Sequence, residues 1–297
     1  MEAQKSKGES AFNKLHSIRV PHILERIFFS LDYASFKKCK EVSRAWQELI
    51  TSQSFKMIGK LTFREEIEKN LWHDLNGGKL SKVREVISSG MVNVDCTKDE
   101  TKMTPLFFAA QAGFTDIVQA LLKEGAEPNH QTLFFPNGWT PLHVAAAYGW
   151  YEVAKMLLDG GAFVNMEDYK NAIPLHYAQN QEFAKLLLDR GSHLNKESAN
   201  GQTPLNFAVV MGIKNVVKYL LENGADPNTA DNEGRTPLHR ASYPGDLSCH
   251  KDIAQMLVDH GADLNAVCNS GHTPLSFALM RGKTEIANII RENGGME

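Results

Sequence analysis

From about residue 70 onward the apolar positions come in short bursts of two kinds. One is dense and small, as in Leu142 to Ala147; the other recurs at helical intervals, as in Val153, Ala154, Leu157 and Leu158. The first predicts a short alanine-rich helix that a neighbouring helix can approach closely, the second an amphipathic helix with one buried stripe. Thr140 stands where a cap residue takes up the first unpaired N–H groups, and Pro141 suits the first helical position, where its missing N–H costs nothing. Gly149 separates the two helices, Glu152 sits at the positive end of the second, and Gly161 supplies the left-handed residue that ends it. The pattern predicts two short antiparallel helices and a loop leading onward from Ala162.

This unit recurs. Thr-Pro-Leu or a close relative places proline at 105, 141, 174, 204, 237 and 274, at spacings of 36, 33, 30, 33 and 37 residues. Each is followed by a terminal glycine: Gly125, Gly161, Gly191, Gly224, Gly261 and Gly294. Leu80, Val83, Val86 and Ile87 between Gly78 and Gly90 read as a degenerate unit without the Thr-Pro opening, as a terminal cap would be. At the other end, the apolar position three before the terminal glycine (Leu122, Leu158, Leu188, Leu221, Val258) becomes Arg291, so the stack is expected to stop there.

These residues resemble ankyrin repeats, which share the 33-residue period and a Thr-Pro-Leu-His-x-Ala opening. Thr140-Pro141-Leu142-His143 and Thr236-Pro237-Leu238-His239 match that opening in full; the units at Pro105, Pro174, Pro204 and Pro274 depart at one position. The histidines are expected to bond backbone groups between units. The resemblance covers residues 70–297 and implies a helix-turn-helix solenoid with loop or hairpin tips, a degenerate N-terminal cap plus six repeats.

Ahead of the repeats, Ile23, Leu24, Ile27, Phe28 and Leu31 form a helical stripe entered just after Pro21. A short second helix is expected around Phe36 and Cys39, and a third, beginning near Val42, places Val42, Trp46 and Leu49–Ile50 on one face. Val20-Pro21, Ile23-Leu24, Ile27-Phe28, Leu31, Val42 and Trp46 resemble the F-box pattern, although one residue is missing between Pro21 and Ile23 and Ser43 stands where cysteine is usual. The expected fold is all-α: a polar tail (1–17), a small three-helix F-box-like module (18–58), a charged, stiff helical linker (59–69), and the ankyrin solenoid (70–297).

Charge adds an asymmetry. Residues 1–60 carry 11 Lys/Arg against 6 Asp/Glu, and the remainder 21 against 29. A basic head on an acidic body suggests two parts with different partners, and the acidic array disfavours nucleic acid. Four separated cysteines with no Cys-x-x-Cys pair suit free thiols. No apolar stretch approaches a membrane span and no signal-peptide core follows Met1, so a cytoplasmic protein is expected, with the nucleus as the other compartment. No phosphate-binding glycine loop and no His-Glu-x-x-His is found, and Cys249-His250 with Asp252 and His260 lacks a ligand spacing. Neither enzymatic chemistry, a cofactor nor a metal is expected.

What the F-box resemblance implies is docking to a Skp-type adaptor, and through it to a cullin complex, by Pro21, Ile23, Leu24, Ile27, Phe28, Val42 and Trp46. The array would then hold a target protein for a cullin–RING ubiquitin ligase. The competing expectation is a scaffold or regulator without ligase function, its N-terminal helices only capping the array. The concave face of such arrays is built from loop tips and the exposed ends of the first helices. That places Phe134, Phe135, Trp139, Tyr148, Met211, Tyr243, Met280 and Arg281 as candidate target-binding residues, most of them large where solvation alone favours small polar ones.

Overall fold

The computed structural model describes residues 67–89, 92–133, 138–242 and 249–297. The chain divides into two compact units, Met1–His73 and Asp74–Glu297. Of the first only 67–73 are described, so the expected three-helix module at 18–58 lies outside the described residues.

The second unit is a stack of helix pairs. A leading helix, α1 (Leu80–Ser88), is followed by α2 (Pro105–Ala112) and α3 (Thr115–Lys123), then α4 (Pro141–Tyr148) and α5 (Tyr151–Asp159). In the third repeat the first helix shrinks to a single 3-10 turn (Pro174–Tyr177) before α6 (Gln181–Asp189). Then come α7 (Pro204–Val210) with α8 (Lys214–Glu222), α9 (Pro237–Ala241) with α10 (Cys249–Asp259), and α11 (Pro274–Met280) with α12 (Thr284–Glu292). The first helices pack in one row, α2–α4–turn–α7–α9–α11, and the second helices with α1 in another, α1–α3–α5–α6–α8–α10–α12. The described tips form no strands; they are turns, closed by bonds such as Asp168 N–H to Ala172 O (2.9 Å) and Cys268 N–H to His272 O (3.0 Å).

Burial differs between the two ends of the stack. Val83 and Ile87 of α1 are buried, whereas Arg291 at the far end is exposed. Its counterpart Leu122 lies against Gly160 of the following repeat, where an added Cβ would sit 3.0 Å from the leucine. The thirty-residue third repeat explains its 3-10 turn: three residues are missing from the first helix, and the chain leaves Ala178 extended (ψ 121°) to reach Asn180, which caps α6 by accepting from Phe183 N–H at 2.8 Å.

Each repeat boundary traps polar backbone groups, and a histidine resolves three of them. Thr140 N–H donates to His143 Nδ1 (3.1 Å), so Nε2 carries the proton and donates to Ala172 O of the next repeat (3.1 Å). His176 links Ile173 N–H (3.1 Å) to Gln202 O (3.1 Å), and His239 links Thr236 N–H (3.2 Å) to His272 O (3.0 Å). The expectation that these residues bond backbone between units is met. Asn206 fills the same position in the fourth repeat; its Nδ2 donates to Thr229 O (3.3 Å), but its buried Oδ1 has no partner. Asn206→His restores both bonds, and should raise stability by about 1 kcal/mol, read as a higher urea midpoint at unchanged slope.

The same geometry sets a pH dependence. Burial holds the His143 imidazole down at about 4 from an ordinary 6.5, and lowers His176 and His239 for the same reason. A proton on Nδ1 would also face the cap N–H donor. The unfolded chain takes up these protons near pH 6.5 and the folded chain only at lower pH, about 4 for His143, so it is the unfolded state that binds more in that range. Stability should be full above about pH 6.5 and fall as the pH drops toward 4, which urea titrations at half-unit intervals measure.

Candidate protein-binding face

The residue three after each proline is buried at Val144 and Phe277 and half-buried at Phe108, Tyr177, Phe207 and Arg240. Their setting comes from the loop ahead of each repeat. Asp168, buried, accepts at Oδ1 from Lys170 N–H (2.7 Å) and Ala172 N–H (2.9 Å), and at Oδ2 from Trp139 Nε1–H (3.2 Å) and Tyr177 O–H (2.7 Å). Burial and this carboxylate push the Tyr177 phenol well above its ordinary value. Asp231 repeats the device: Oδ1 takes Glu233 N–H (2.9 Å) and Arg235 N–H (3.0 Å), and Oδ2 takes Arg240 Nε–H (2.7 Å) and Nη2–H.

The consequence is a graded face. Trp139 and Tyr177 lie 4.6 Å apart by ring centroids, and Tyr177 meets Phe207 edge-on at 5.7 Å, an aromatic run across successive repeats. Beyond it come Arg240, then Phe277 with the guanidiniums of Arg235 and Arg281 over its ring at 5.7 and 5.4 Å. Outside the face, an open groove between α5 and α6 is lined by Tyr151, Asn180, Glu182, Lys185, Leu186 and Asp189. Among the described residues no group of three or more His, Cys, Asp or Glu is placed to hold a metal ion, and no helix is long and apolar enough to cross a membrane.

Comparison with known proteins accounts for this stack. The family model of ankyrin repeats (3 copies) matches residues 72–168, 130–198, 167–231 and 226–297. The chain belongs to the ankyrin-repeat family. It is 36% identical over 96 residues to the 26S proteasome non-ATPase regulatory subunit 10 of Dictyostelium discoideum, covering 32% of this chain and 40% of that one. Over 100 residues it is 33% identical to protein phosphatase 1 regulatory subunit 12A of Mus musculus, covering 32% of this chain and 8% of that one. The chain thus spans less than half the length of either relative. The ankyrin repeat domain of Bcl-3, a member of the IkappaB protein family, superposes with a TM-score of 0.59 at 27% identity, covering 74% of this chain and 97% of that domain. The family match begins at residue 72 and does not reach the F-box-like residues 18–58.

Within the ankyrin array, Tyr148, Met211 and Met280 stand 54%, 57% and 65% exposed at the ends of their first helices, and Arg281 beside Met280 is exposed too. Trp139 is different: half-buried, bonded to Asp168 and tilted against Tyr177, it works in the packing between repeats. Phe134, Phe135 and Tyr243 lie outside the described residues, as do Pro21, Ile23, Leu24, Ile27, Phe28, Val42 and Trp46. Sequence reading passed over Trp150, which is 41% exposed, donates Nε1–H to Gln111 O (3.0 Å) and lays its ring on Gly113 of the preceding repeat. A Cβ on Gly113, already at φ 74°, would sit 2.9 Å from that ring. It also passed over Asp168 and Asp231, though the nine-residue interval to Tyr177 and Arg240 occurs twice and was a readable signal.

Packing and exposure separate in mutagenesis. Asp168→Ala strands part-buried donors on Trp139, Tyr177 and Lys170 N–H and the buried Ala172 N–H, and should cost about 3 kcal/mol. Tyr148→Ser and Met211→Ser, on exposed positions, should stay within about 0.5 kcal/mol of wild type in the same urea denaturation.

Proposed function

We propose that this chain is a non-catalytic scaffold or regulatory module whose ankyrin array holds a partner protein. The observation that carries this reading is the row of large exposed side chains at the first-helix ends, Tyr148, Met211 and Met280, which the stack itself does not use. An array exposes such residues singly by chance, but aromatic and methionine side chains along one edge are what the centre of a protein interface is made of. Two relatives carry names that mark them as regulatory subunits, which supports the same class of work. Phe134, Phe135 and Tyr243 extend the proposed surface, and the cytoplasm or nucleus is its proposed place.

A second reading keeps a specific sequence observation. The helical stripe Ile23, Leu24, Ile27, Phe28 with Val42 and Trp46 resembles an F-box, and it supports docking to a Skp-type adaptor and a cullin complex. In that case the array presents its target to a ligase, raising the target's effective concentration there.

Affinity capture with the full chain tests both. Tyr148→Ser with Met211→Ser should retain wild-type helicity and lose at least tenfold in partner recovery, as expected when exposed anchors are truncated. Undiminished recovery removes the first-helix ends from the interface. Recovery of adaptor and cullin by wild type but not by Ile27→Asp with Phe28→Asp favours the ligase receptor; absence of both from the wild-type capture leaves the scaffold.

A further inference from the structure

The second helices begin with a device that differs between the two halves of the stack. Toward the C-terminus, Lys214 Nζ at the start of α8 lies 2.5 Å from Asp252 Oδ2 of the next repeat, and Lys251 Nζ lies 3.4 Å from Glu285 Oε1 of the one after. Each lysine stands two residues before the first buried position of its helix, Val216 or Ile253, and each carboxylate one residue before Ile253 or Ile286. The first three repeats keep a carboxylate at that place, as Asp116, Glu152 and Glu182, all exposed. The lysine's place in the repeat ahead of each holds Ser81, Thr115 and Tyr151 instead. These three acids make no ion pair among the described residues, and neither does Lys82 beside Ser81.

The same edge is where the array exposes aromatic rings. Tyr148, Trp150 and Tyr151 stand 54%, 41% and 39% exposed, Trp150 being fixed by its bond to Gln111 O and its contact with Gly113. Tyr151 also forms one wall of the open groove between α5 and α6, with Glu182 and Leu186 on the other. A carboxylate in the first turn is what any helix start favours, so the acids alone would assign nothing. Exposed rings beside them change that, because aromatic rings and carboxylates both attract a lysine or arginine head. Leu186 and the Tyr151 ring suit the methylene stem of such a side chain. An uncharged apolar segment would strip water from the acids and replace it with nothing. One metal ion cannot serve them, since they sit on successive repeats roughly 10 Å apart.

We propose that the second-helix starts of repeats one to three, with Tyr148, Tyr151, Asp116, Glu152 and Glu182, dock a basic segment of a partner protein. Its cations take the place that Lys214 and Lys251 fill within the other half. This rests on the array being a protein-binding module and adds the chemistry of what one edge of it binds. A spacing of roughly 10 Å between acids matches one turn of a polyproline-II segment, three residues and about 9 Å, so the segment carries Lys or Arg at every third residue. The next turn of α5 and α6 brings Lys155 and Lys185, both exposed, so the acidic strip is one turn wide and the segment crosses the helix starts. A polyanion is repelled there, so nucleic acid fits less well.

The test is to pan a random displayed twelve-residue peptide library against the full chain, then measure the synthetic consensus by fluorescence anisotropy. Enriched peptides should carry Lys or Arg three residues apart and bind more weakly as salt rises. Tyr151→Lys, which supplies in the chain itself the cation that Glu182 lacks, should weaken the consensus about tenfold, and Glu152→Gln with Glu182→Gln comparably. Asp252→Asn with Glu285→Gln, whose carboxylates are already paired, should leave it within about twofold. Far-UV circular dichroism of each variant should match wild type, since every changed side chain is exposed. Enrichment of acidic or uncharged peptides overturns the assignment while leaving a protein-binding array. So does a basic consensus that ignores Tyr151→Lys and the paired glutamine changes, or one that weakens as much on the Asp252 and Glu285 changes. No enrichment at all counts against both the assignment and the protein-binding reading.

Discussion

Two short helices joined by a glycine turn leave one whole side of their apolar surface uncovered, so a single repeat of this chain folds only against its neighbours. That contact also traps backbone polar groups where water does not reach, and an unpaired one costs about as much as the contact gains from a methylene or two. The imidazole of His143 meets both demands with one flat side chain, taking the cap N–H on Nδ1 and giving Nε2–H to the following loop at Ala172. His176 and His239 do the same at their own boundaries. Helix start and next loop are thereby tied together, and the direction of the stack is fixed at the same point as its cohesion.

The loops use a second device with one theme and two outcomes. A buried aspartate, six residues before the proline, is satisfied by two backbone N–H groups on one oxygen and a side chain nine residues on by the other. In the third repeat that side chain is the neutral phenol of Tyr177, which with Trp139 makes an aromatic run. In the fifth it is Arg240, whose guanidinium and the carboxylate are both nearly sealed, at 11% and 1% side-chain exposure. Breaking such a pair is costlier than its net worth, because one charge would remain buried alone. The same loop architecture therefore closes on a neutral aromatic side chain in one repeat and on a sealed ion pair in another.

The local rules of this fold were readable in the sequence because they act within a few residues: Thr104, Thr140 and Thr203 cap the helices that their prolines begin, and Gly161 and Gly294 take the left-handed turns. The shortened third repeat was also visible as a lost triplet. What the sequence did not disclose is what crosses the repeat boundary. Trp139 looked like a candidate anchor, but its partner Asp168 lies 29 residues away, and only stacking brings them within 3.2 Å. Trp150 finds Gln111 across 39 residues for the same reason. The F-box-like stripe rests on apolar spacing alone, which many small helical modules satisfy.

The division of labour along each repeat follows from where its backbone is committed. The tips are laced together by bonds from one loop to the next, Leu133 N–H to Thr101 O at 2.8 Å, Ala199 N–H to Lys170 O at 2.7 Å and Asn269 N–H to Glu233 O at 3.0 Å. Asparagine side chains lace the opposite loops, as Asn228 does to Gly261 O and Asp263 N–H. Even Tyr169, 53% exposed at a tip, rests its ring on Gly138. Changing a residue there disturbs two repeats at once. The ends of the first helices carry fewer such ties: Gln111 O takes Trp150 Nε1–H and Val209 O meets His250 Nε2 of the next repeat, but the side chains of Tyr148, Met211 and Met280 stay exposed. Those positions can change without loosening the fold, so chemistry for a partner can accumulate there at little cost in stability.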